Sequence, residues 1–368
     1  MKDFFILYDY QIFNIQRFGG ISRYFCEIIK HLDFKTKIAI RFTINYYLNP
    51  WKINYLLPIP RFIFKHYRSF FDKKNHDLIL RILCKKNNYL FHPTYYDPYF
   101  LKYINKNPYV ITVHDMIHEK FPDCFSDAEV IIKQKKEVIM KASRIIAISK
   151  NTKKDIVEIL GISPEKIDII YHGTNMKFHT SKYKLKLPER YILFVGDRTF
   201  YKNFDLFTEA FASLYEKDRN IFVVCTGHRL WGSEKKRLSE LGILSQFIHI
   251  RATDKELSEL YSRALLFVYP SLYEGFGIPL LEAFACHCPI ALSNTSCFPE
   301  IAGKAGIYFD PYSKASILEA LKEGIYNKSK REQIINEGNE RLKLFSWEKA
   351  AKQTEETYIK AYNEHNKC

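Results

Sequence analysis

Short apolar segments alternate with amphipathic segments along the whole chain, and this alternation constrains the fold more than any other feature of the sequence. The apolar segments are rich in β-forming residues and lie at 4–9, 37–42, 88–93, 109–115, 144–149, 166–173, 191–197, 221–227, 247–252, 265–271 and 289–294. Helical patterns separate them at 20–32, 126–142, 150–160, 203–216, 232–241, 255–263, 279–286 and 313–324. Apolar strands separated by helices indicate parallel sheets covered on both faces. The sequence therefore predicts an α/β fold, in which ligands sit beyond the carboxyl ends of the strands.

A polar segment near the middle of the chain separates two series of predicted strands. Residues 181–189, with the sequence SKYKLKLPE, show little periodicity and precede a new strand pattern, so they are the best linker candidate. A chain of 368 residues with 47% hydrophobic content is long enough for two hydrophobic cores. We therefore predict two α/β domains joined near this segment.

The composition excludes several classes of protein. No uninterrupted apolar run reaches the roughly 18 residues of a membrane-spanning helix, and the start MKDFFILYDYQIF lacks the pattern of a signal peptide. The eight cysteines fall irregularly without a CxxC pair, which is typical of reduced thiols rather than of a disulfide framework or a zinc site. We expect a cytoplasmic protein.

Positive charge is concentrated in the first half of the chain. The formal net charge is +15, of which +14 falls within residues 1–185, and a surplus of this size points to an anionic partner. The densest segment is 61–86, where eight Lys or Arg and two Asp are interleaved with Phe62, Phe64, Tyr67, Phe70 and Phe71. A basic amphipathic helix with exposed Phe suits an anionic membrane surface. Alternatively, the aromatic side chains face the core, and the sequence leaves both interpretations open.

The strongest candidate site follows the predicted strand at 265–271. Gly275 and Gly277 let the backbone approach a ligand closely, and the start of the next helix attracts phosphate. Because carboxylates repel a diphosphate, we expect Glu274 and Glu282 to accept hydrogen bonds from hydroxyl groups, of a sugar at one end and a ribose at the other. Alternatively, Glu282 complements the helix dipole and the glycines only turn the chain.

A second candidate site follows the strand at 191–197. Arg198 and Lys202 bring two cations to a glycine turn, where they can neutralise a diphosphate leaving group, or they are solvated surface charges. The sequence contains no Asp-x-Asp, which argues against a nucleotide held through a metal ion. The segment Cys286–Cys288 has no partners at the spacing of a zinc site, so we expect its residues to pack.

Two weaker candidates lie in the first half. His114 follows an apolar strand and can donate to a phosphate or a sugar hydroxyl, oriented by Asp115, or it is a buried core histidine. Gly19 and Gly20 precede the first long helix, where a glycine pair is also an ordinary turn between a strand and a helix.

Taken in order, several segments resemble the retaining glycosyltransferases of family 4, which have the GT-B fold. The matching segments are GGISRYF, VHD, RIIAISKNTKKDI, YHGTN, ILFVGDRTFYKN, EGFGIPLLEAFACHCPIA and FPEIAG. The specific element is Glu-x7-Glu, formed by Glu274 and Glu282. One departure is His287, where relatives commonly carry glycine; it lies at a helix end and concerns local packing more than the site.

The resemblance implies two Rossmann-like domains that face each other across a cleft. Residues 1–182 would form the acceptor domain and residues 183–345 the nucleotide-sugar donor domain. Residues 346–368 would form a C-terminal helix that crosses back to the N-terminal domain.

The resemblance also implies roles for individual residues. Glu282 would bind the ribose of the nucleotide, Arg198 and Lys202 would hold the diphosphate, and Glu274 would contact the donor sugar. His114 would reach that sugar from the opposite domain. The implied catalytic residues are His114, Asp115 and Glu274. The implied donor-binding residues are Gly19, Gly20, Arg198, Lys202, Gly275, Phe276, Gly277 and Glu282.

The implied reaction is transfer of a hexose from a nucleotide diphosphate sugar with retention of configuration. We expect no cofactor and no metal ion, attack on the same face of the sugar, and an acceptor that is a glycan or a lipid-linked saccharide of polysaccharide biosynthesis, such as lipopolysaccharide or capsule. The N-terminal half resembles polysaccharide mannosyltransferases, which makes mannose a candidate, whereas GDP- and UDP-linked donors stay open. With the charge of 61–86, this predicts a peripheral enzyme at an anionic membrane, on the inner face of the cell membrane.

Two other functions compete with this interpretation. A nucleotide-sugar epimerase of GT-B fold would share the architecture but release a free product, and the Glu-x7-Glu element favours transfer. A basic nucleic-acid-binding protein would account for the charge and the aromatic content. It would not account for glycine-containing turns at several strand ends, so we expect no nucleic acid partner.

Overall fold

The structure is a computed structural model that describes residues 4–48, 58–85, 88–104, 106–178 and 185–367. The chain forms two compact units, one made of Met1–His172 together with Ser346–Cys368 and the other of Gly173–Phe345. The predicted domain boundary at 182, most of the linker candidate and Lys86 of the basic segment lie outside the described residues or at their edge. Among the described residues, no helix combines the length and the hydropathy needed to cross a membrane.

The first unit contains six strands, most of which are separated by one or two helices. Its strands are β1 (Phe5–Tyr8), β2 (Thr36–Ile38), β3 (Tyr89–His92), β4 (Val110–Val113), β5 (Arg144–Ala147) and β6 (Ile167–Ile169). Its helices are α1 (Gln11–Ile15), α2 (Gly20–His31), α3 (Arg61–His66), α4 (Arg68–Leu83), α5 (Ile117–Lys120), α6 (Ala128–Lys141) and α7 (Lys150–Leu160).

All strand pairs of the first unit are parallel. The strands form two three-stranded sheets, in the orders β2-β1-β3 and β4-β5-β6, which are linked by a parallel bridge between Phe91 and Tyr109. Every residue of β3, β4 and β5 is buried, as expected for apolar strands covered by helices on both faces. The parallel sheets predicted from the alternation of strands and helices are thus confirmed.

The second unit repeats the alternation. Its strands are β7 (Tyr191–Phe194), β8 (Phe222–Cys225), β9 (Phe247–His249), β10 (Leu266–Tyr269), β11 (Ile290–Ser293) and β12 (Ile307–Phe309). Its helices are α8 (Phe204–Tyr215), α9 (Gly232–Glu240), α10 (Asp254–Arg263), α11 (Ile278–Ala285), α12 (Phe298–Ala302), α13 (Lys314–Tyr326) and α14 (Lys328–Leu342). They cover one six-stranded parallel sheet with the order β12-β11-β10-β7-β8-β9.

The last helix, α15 (Trp347–His365), belongs to the core of the first unit, although it follows the second unit in the chain. It packs against α2 and buries Trp347, Ala351 and Tyr358 among the residues that β1 and α2 contribute. Arg144 on β5 fixes its far end by an ion pair with Glu364 at 2.8 Å. The hydrophobic core of the first unit therefore includes residues from the last helix of the chain.

A chain of buried hydrogen bonds joins α15 to the sheet of the first unit. The Tyr358 hydroxyl lies 2.7 Å from the hydroxyl of Tyr8 and 2.6 Å from Nδ1 of His92. The other ring nitrogen of His92 lies 3.0 Å from the hydroxyl of Thr112, which also bonds to Tyr24 at 3.0 Å. Because His92 is fully buried, its pKa falls to about 3 and the ring stays neutral.

We expect the first unit to lose stability in acid because of three buried histidines. Burial lowers the pKa of His92 and of His114 to about 3 and that of His172 well below its usual value. The unfolded chain binds these protons near pH 6.5, whereas the folded chain does not bind those of His92 and His114 until about pH 3. Stability is therefore complete above pH 6.5 and falls below it, by about 2 kcal/mol at pH 5 for each of His92 and His114.

Urea denaturation at pH 7.5 and at pH 5 measures this effect. Burial raises the pKa of Asp9, which acts in the opposite direction, so the matched variant His92→Gln isolates the contribution of one histidine. We expect the difference in unfolding free energy between the two pH values to shrink by about 2 kcal/mol in this variant. An identical difference in wild type and variant would contradict the assignment of His92 as a buried neutral group.

Candidate functional site

The strand order of the second sheet reverses between β7 and β10. The chain places β8 and β9 on one side of β7, then returns to place β10, β11 and β12 on the other side. Where two neighbouring parallel strands lead into connections that diverge in this way, a crevice opens beyond their carboxyl ends. The two segments that leave this point are 195–203 and 270–277, and they contain most of the residues that the sequence analysis singled out in this half.

An ion pair joins the two segments. Nζ of Lys202 lies 2.5 Å from a carboxylate oxygen of Glu274, and both side chains are largely buried. The Lys202 ammonium also lies 5.1 Å from the ring centroid of Tyr201 and 5.8 Å from that of Tyr269. Burial alone would lower the pKa of Lys202, but the Glu274 carboxylate outweighs it and the pKa is raised. Lys202 therefore stays a cation at the strand ends.

Ser296 holds the backbone of Glu274 in place. The Glu274 N–H donates to the Ser296 hydroxyl oxygen at 3.1 Å, and this hydroxyl donates to the Glu274 carbonyl at 2.7 Å. Ser296 has a left-handed backbone with φ of +56°. Ser296 cannot be found from the sequence, because a serine in a polar loop carries no signal that it bonds to a segment 22 positions earlier.

Arg198 has a different environment from Lys202. Its guanidinium bonds to Glu234 through Nε at 2.7 Å, and to the carbonyls of Thr226 at 2.8 Å and His228 at 2.5 Å. The side chain is only 2% exposed. The alternative of a solvated surface charge is therefore wrong for Arg198, because the protein accepts four hydrogen bonds from its five N–H donors.

Glu234 is the residue that holds Arg198, and the sequence does not indicate this pairing. It is the third residue of α9, where a carboxylate oxygen also accepts the Trp231 N–H at 2.6 Å and so caps the helix. A glutamate at the third position of a helix predicts that its side chain caps the helix. This position does not predict an ion pair with a distant arginine. A pocket of about 360 Å³ lies beside this pair and is lined by Asp197, Arg198, Thr199, His228, Trp231, Ser233 and Glu234.

Helix α11 starts at the same crevice. Gly277 precedes it with φ of +86°, a conformation that favours glycine, and Pro279 occupies the first turn. The side chain of Phe276 is buried and packs on Phe345 at 5.9 Å, so only its backbone is left for a ligand. Glu282 lies in the second turn of α11. Its carboxylate accepts a hydrogen bond from the buried Tyr261 hydroxyl at 3.2 Å.

His287, at a position where relatives commonly carry glycine, lies just after the end of α11. This residue has φ of +55°, a conformation that glycine adopts without strain, and its ring stacks on Phe178 at 5.1 Å. The neighbouring Cys286 thiol lies 3.5 Å from the Ser258 hydroxyl, and Cys288 is buried. Within the part of the chain that the structure describes, no group of three His, Cys, Asp or Glu is placed to hold a metal ion.

His114 lies in the first unit, at the end of β4, and is 6% exposed. Its backbone N–H donates to the Tyr96 hydroxyl at 3.2 Å, and its ring packs against Tyr24 at 5.1 Å. Its Nε2 is buried and has no hydrogen-bond partner among the described residues. Burial, the neighbouring His92 and Lys135 lower the pKa of His114 to about 3. The ring is therefore a neutral imidazole, and its Nε2 makes no hydrogen bond to a described residue.

Asp115 contacts the Ile117 backbone and Lys135 and not the His114 ring, which the sequence predicts it to orient. Its carboxylate accepts the backbone N–H of Ile117 at 3.1 Å and lies 3.8 Å from the ammonium of Lys135. Lys135 is itself buried and pairs with Glu119 at 3.0 Å. No described hydrogen bond joins Asp115 to His114, and aromatic rings hold the imidazole instead. A buried lysine on a helix gives no signal in the sequence, which is why this arrangement was missed.

Gly19 and Gly20 form the start of α2. The Gln16 side chain folds over Gly19 and accepts the backbone N–H of Ser22 at 3.0 Å, which caps the helix. A Cβ atom on Gly19 would overlap the end of the Gln16 side chain, which would have to move and give up its cap on the helix. Gly20 is exposed.

Two family profiles match the chain over adjoining segments. Residues 18–178 match the profile described as Glycosyltransferase Family 4, and residues 175–341 match the profile described as Glycosyl transferases group 1. Together they extend over both units.

Three known proteins illustrate the relationship. O-antigen chain mannosyltransferase B of Escherichia coli is 28% identical over 288 residues, which are 74% of this chain and 74% of that protein. O-antigen chain mannosyltransferase RfbU of Salmonella typhimurium is 29% identical over 214 residues, which are 58% of this chain and 59% of that protein. The solved structure of Anabaena HepE in complex with UDP and glucose has a TM-score of 0.73 at 16% identity, over 96% of this chain and 99% of that chain. The chain resembles members of this family that are named for O-antigen chains, which are bacterial surface polysaccharides. It therefore belongs to the glycosyltransferases of family 4, which have the GT-B fold.

Proposed function

We propose that this glycosyltransferase moves a hexose from a nucleotide diphosphate sugar to a saccharide acceptor with retention of configuration. The observation that carries the proposal is the pair of Lys202 and Glu274 at the point where the strand order of the second sheet reverses. A cation and a carboxylate at this point match the two ends of such a donor, the diphosphate and the sugar hydroxyls.

Lys202 can serve the diphosphate without releasing Glu274. An ammonium group has three donors, and the Glu274 carboxylate takes one of them, so two remain for phosphate oxygens. As the bond between the sugar and the diphosphate breaks, negative charge grows on the phosphate that departs. A cation fixed beside it stabilises this charge without reorganisation at the moment of reaction.

The covalent step that we propose exchanges one bond at the anomeric carbon for another. The bond to the diphosphate oxygen breaks, the acceptor hydroxyl oxygen attacks from the same face, and its proton passes to the departing phosphate. No cofactor or metal ion takes part in this scheme. Glu274 holds sugar hydroxyls and Glu282 the ribose, while the backbone at Gly275, Phe276 and Gly277 approaches the phosphates.

For the first unit we propose that His114 donates a hydrogen bond to the transferred sugar. A neutral imidazole with a buried, unbonded Nε2 suits a hydroxyl better than a phosphate, because it carries no charge to pair. Asp115, Gly19 and Gly20 act through position. Asp115 fixes the loop after β4. Gly19 and Gly20 start α2, and the backbone at the exposed Gly20 approaches the sugar or its phosphate.

The donor and acceptor are proposed from the relatives. Two of them carry the name mannosyltransferase, which supports mannose as the sugar, and their names place them in O-antigen chains. HepE was solved with UDP and glucose, so both UDP- and GDP-linked donors belong in the test. We propose a glycan or lipid-linked saccharide of polysaccharide biosynthesis as the acceptor. An epimerase would instead release an altered nucleotide sugar in the absence of any acceptor.

We expect Lys202→Ala to lower kcat for sugar transfer by about 10²- to 10³-fold, because it removes the cation beside the departing phosphate. The variant Glu274→Gln keeps the shape of the side chain, and we expect it to impair transfer while it retains binding of the nucleoside diphosphate. The measurement is transfer from UDP- and GDP-linked hexoses to an acceptor, together with the rise in melting temperature caused by UDP and GDP.

The matched control is Lys255→Ala, which removes an exposed lysine from α10 in the same unit. Its transfer rate should equal that of the wild type. Near-normal transfer by Lys202→Ala, or no thermal shift of the wild type with either nucleotide, would refute the proposed function.

We further propose that Arg198 binds the diphosphate when it exchanges partners with Glu234. Because Glu234 and a diphosphate compete for the same guanidinium, Glu234→Gln should tighten binding of the nucleoside diphosphate several-fold. The glutamine still accepts the Trp231 N–H, so the cap of α9 is kept. Isothermal titration compares this variant with Glu240→Gln at the far end of α9, which should change nothing. Weaker or unchanged binding by Glu234→Gln would show that Arg198 only braces the loops.

A further inference from the structure

The junction of α3 and α4 projects from the surface of the first unit. Lys65, His66, Tyr67, Arg68, Ser69 and Phe70 are six consecutive residues, and all of them are exposed. A helix that lies flat on a core buries a residue at every third or fourth position. Six exposed residues in succession therefore describe a convex corner, which we call the elbow and define as residues 61–74.

Two aromatic side chains anchor the elbow from beneath. Phe64 on α3 and Phe71 on α4 are buried and stack at 5.3 Å, and they share a small apolar cluster with Ile44. The interpretation that the aromatic residues face the core is thus correct for these two. It is wrong for Phe62, Tyr67 and Phe70, which are 76%, 55% and 51% exposed.

Cations surround the three exposed aromatic residues. Arg61, Lys65, Lys73 and Lys74 are exposed and form no ion pair with any described residue. The one carboxylate within the elbow, Asp72, is engaged by Arg68 at 3.4 Å and by the Asn14 amide at 3.0 Å.

Lys74 also lies over the Phe70 ring at 5.5 Å, so charge and aromatic surface are presented together. Seven Lys or Arg against two Asp over 61–85 leave this corner strongly positive. Solvent-exposed phenylalanines beside unpaired cations on a convex corner call for a partner that is both anionic and apolar.

We propose that the elbow docks onto an anionic lipid bilayer. Phe62, Tyr67 and Phe70 enter the boundary between headgroups and acyl chains, while the four unpaired cations contact lipid phosphates. A single-stranded nucleic acid also binds cations and aromatic rings, but it does so in a groove that follows its backbone. The convex form of the elbow favours a flat, deformable surface over a strand, and an anionic bilayer offers one.

The elbow is connected to the segment that leads into Gly19 and Gly20. The side-chain amide of Asn14, near the end of α1, donates to the Asp72 carboxylate on α4 at 3.0 Å. In the segment that follows α1, the Arg17 carbonyl accepts the backbone N–H of Tyr46 at 3.1 Å. The docking surface and the proposed acceptor side of the enzyme therefore share one unit. Binding to lipid is separate from sugar transfer, so the two proposals stand or fall independently.

Flotation of the full chain with vesicles tests the proposal. The vesicles are phosphatidylglycerol and phosphatidylcholine in equal amounts, compared with phosphatidylcholine alone, and duplex and single-stranded DNA serve as competing probes. We expect flotation only with the anionic vesicles. Two variants divide the contributions: Phe62→Ser/Tyr67→Ser/Phe70→Ser removes the aromatic tips, and Lys65→Gln/Lys73→Gln/Lys74→Gln removes three cations. Each removed cation should weaken vesicle binding on the order of fivefold.

The matched control is Lys255→Gln/Lys304→Gln/Lys328→Gln, which removes the same charge from exposed positions in the second unit. It should float as the wild type does, and equal melting temperatures show that all variants are folded. A Phe70→Trp reporter should shift its emission to shorter wavelength with anionic vesicles. No flotation of the wild type, equal flotation without anionic lipid, unchanged flotation of either elbow variant, or displacement from vesicles by DNA would each overturn the proposal.

Discussion

The meeting of Lys202 and Glu274 depends on the strand order of the second sheet. The two residues are 72 positions apart, and two other strands lie between β7 and β10 in the chain. They meet because the chain returns to the far side of β7 after β9, which makes β7 and β10 neighbours in the sheet. With strands in simple sequential order, β8 and β9 would separate the two residues. Two hydrogen bonds from the Ser296 hydroxyl hold the backbone of Glu274 in the segment that follows β10.

Each cation proposed for the diphosphate is already paired with a carboxylate. Lys202 lies with Glu274 and Arg198 with Glu234, so the folded protein buries no uncompensated charge at this point. The two pairs differ in what they leave free. Lys202 keeps two donors, whereas the Arg198 guanidinium is held by a carboxylate and two carbonyls. A diphosphate can therefore join the first pair, whereas four hydrogen bonds already occupy the five N–H donors of Arg198 almost completely. We therefore expect Lys202 to make the first contact with the diphosphate.

The sequence predicted the architecture well, because period and length of apolar segments report directly on parallel strands and covering helices. It also placed Lys202, Glu274 and Gly277 after the ends of strands, where ligands bind to parallel sheets. Only the family resemblance assigned these residues to one donor. It could not predict the partners that hold these residues. Glu234, Ser296 and Tyr261 act across distances in sequence for which one chain carries no pattern. Adjacency in the sequence suggests that Asp115 orients His114, whereas the Asp115 carboxylate accepts the Ile117 N–H and lies near the ammonium of the buried Lys135.

The charge surplus of the first half is also clearer in three dimensions. Helix faces could not be assigned from the sequence of 61–86, because its aromatic residues follow no single period. The kink at Tyr67 explains this, since the segment is two helices and not one. Each helix carries one buried and one exposed phenylalanine: Phe64 and Phe62 on α3, and Phe71 and Phe70 on α4. Tyr67, between the helices, is exposed as well.

The most direct test of the central claim is a crystal structure of the protein with UDP or GDP bound. Our account predicts a phosphate oxygen within about 3.2 Å of the Lys202 ammonium, with the ribose beside Glu282 and the phosphates at the backbone of 275–277. A nucleotide bound elsewhere on the second unit, with Lys202 making no contact to phosphate, would contradict it.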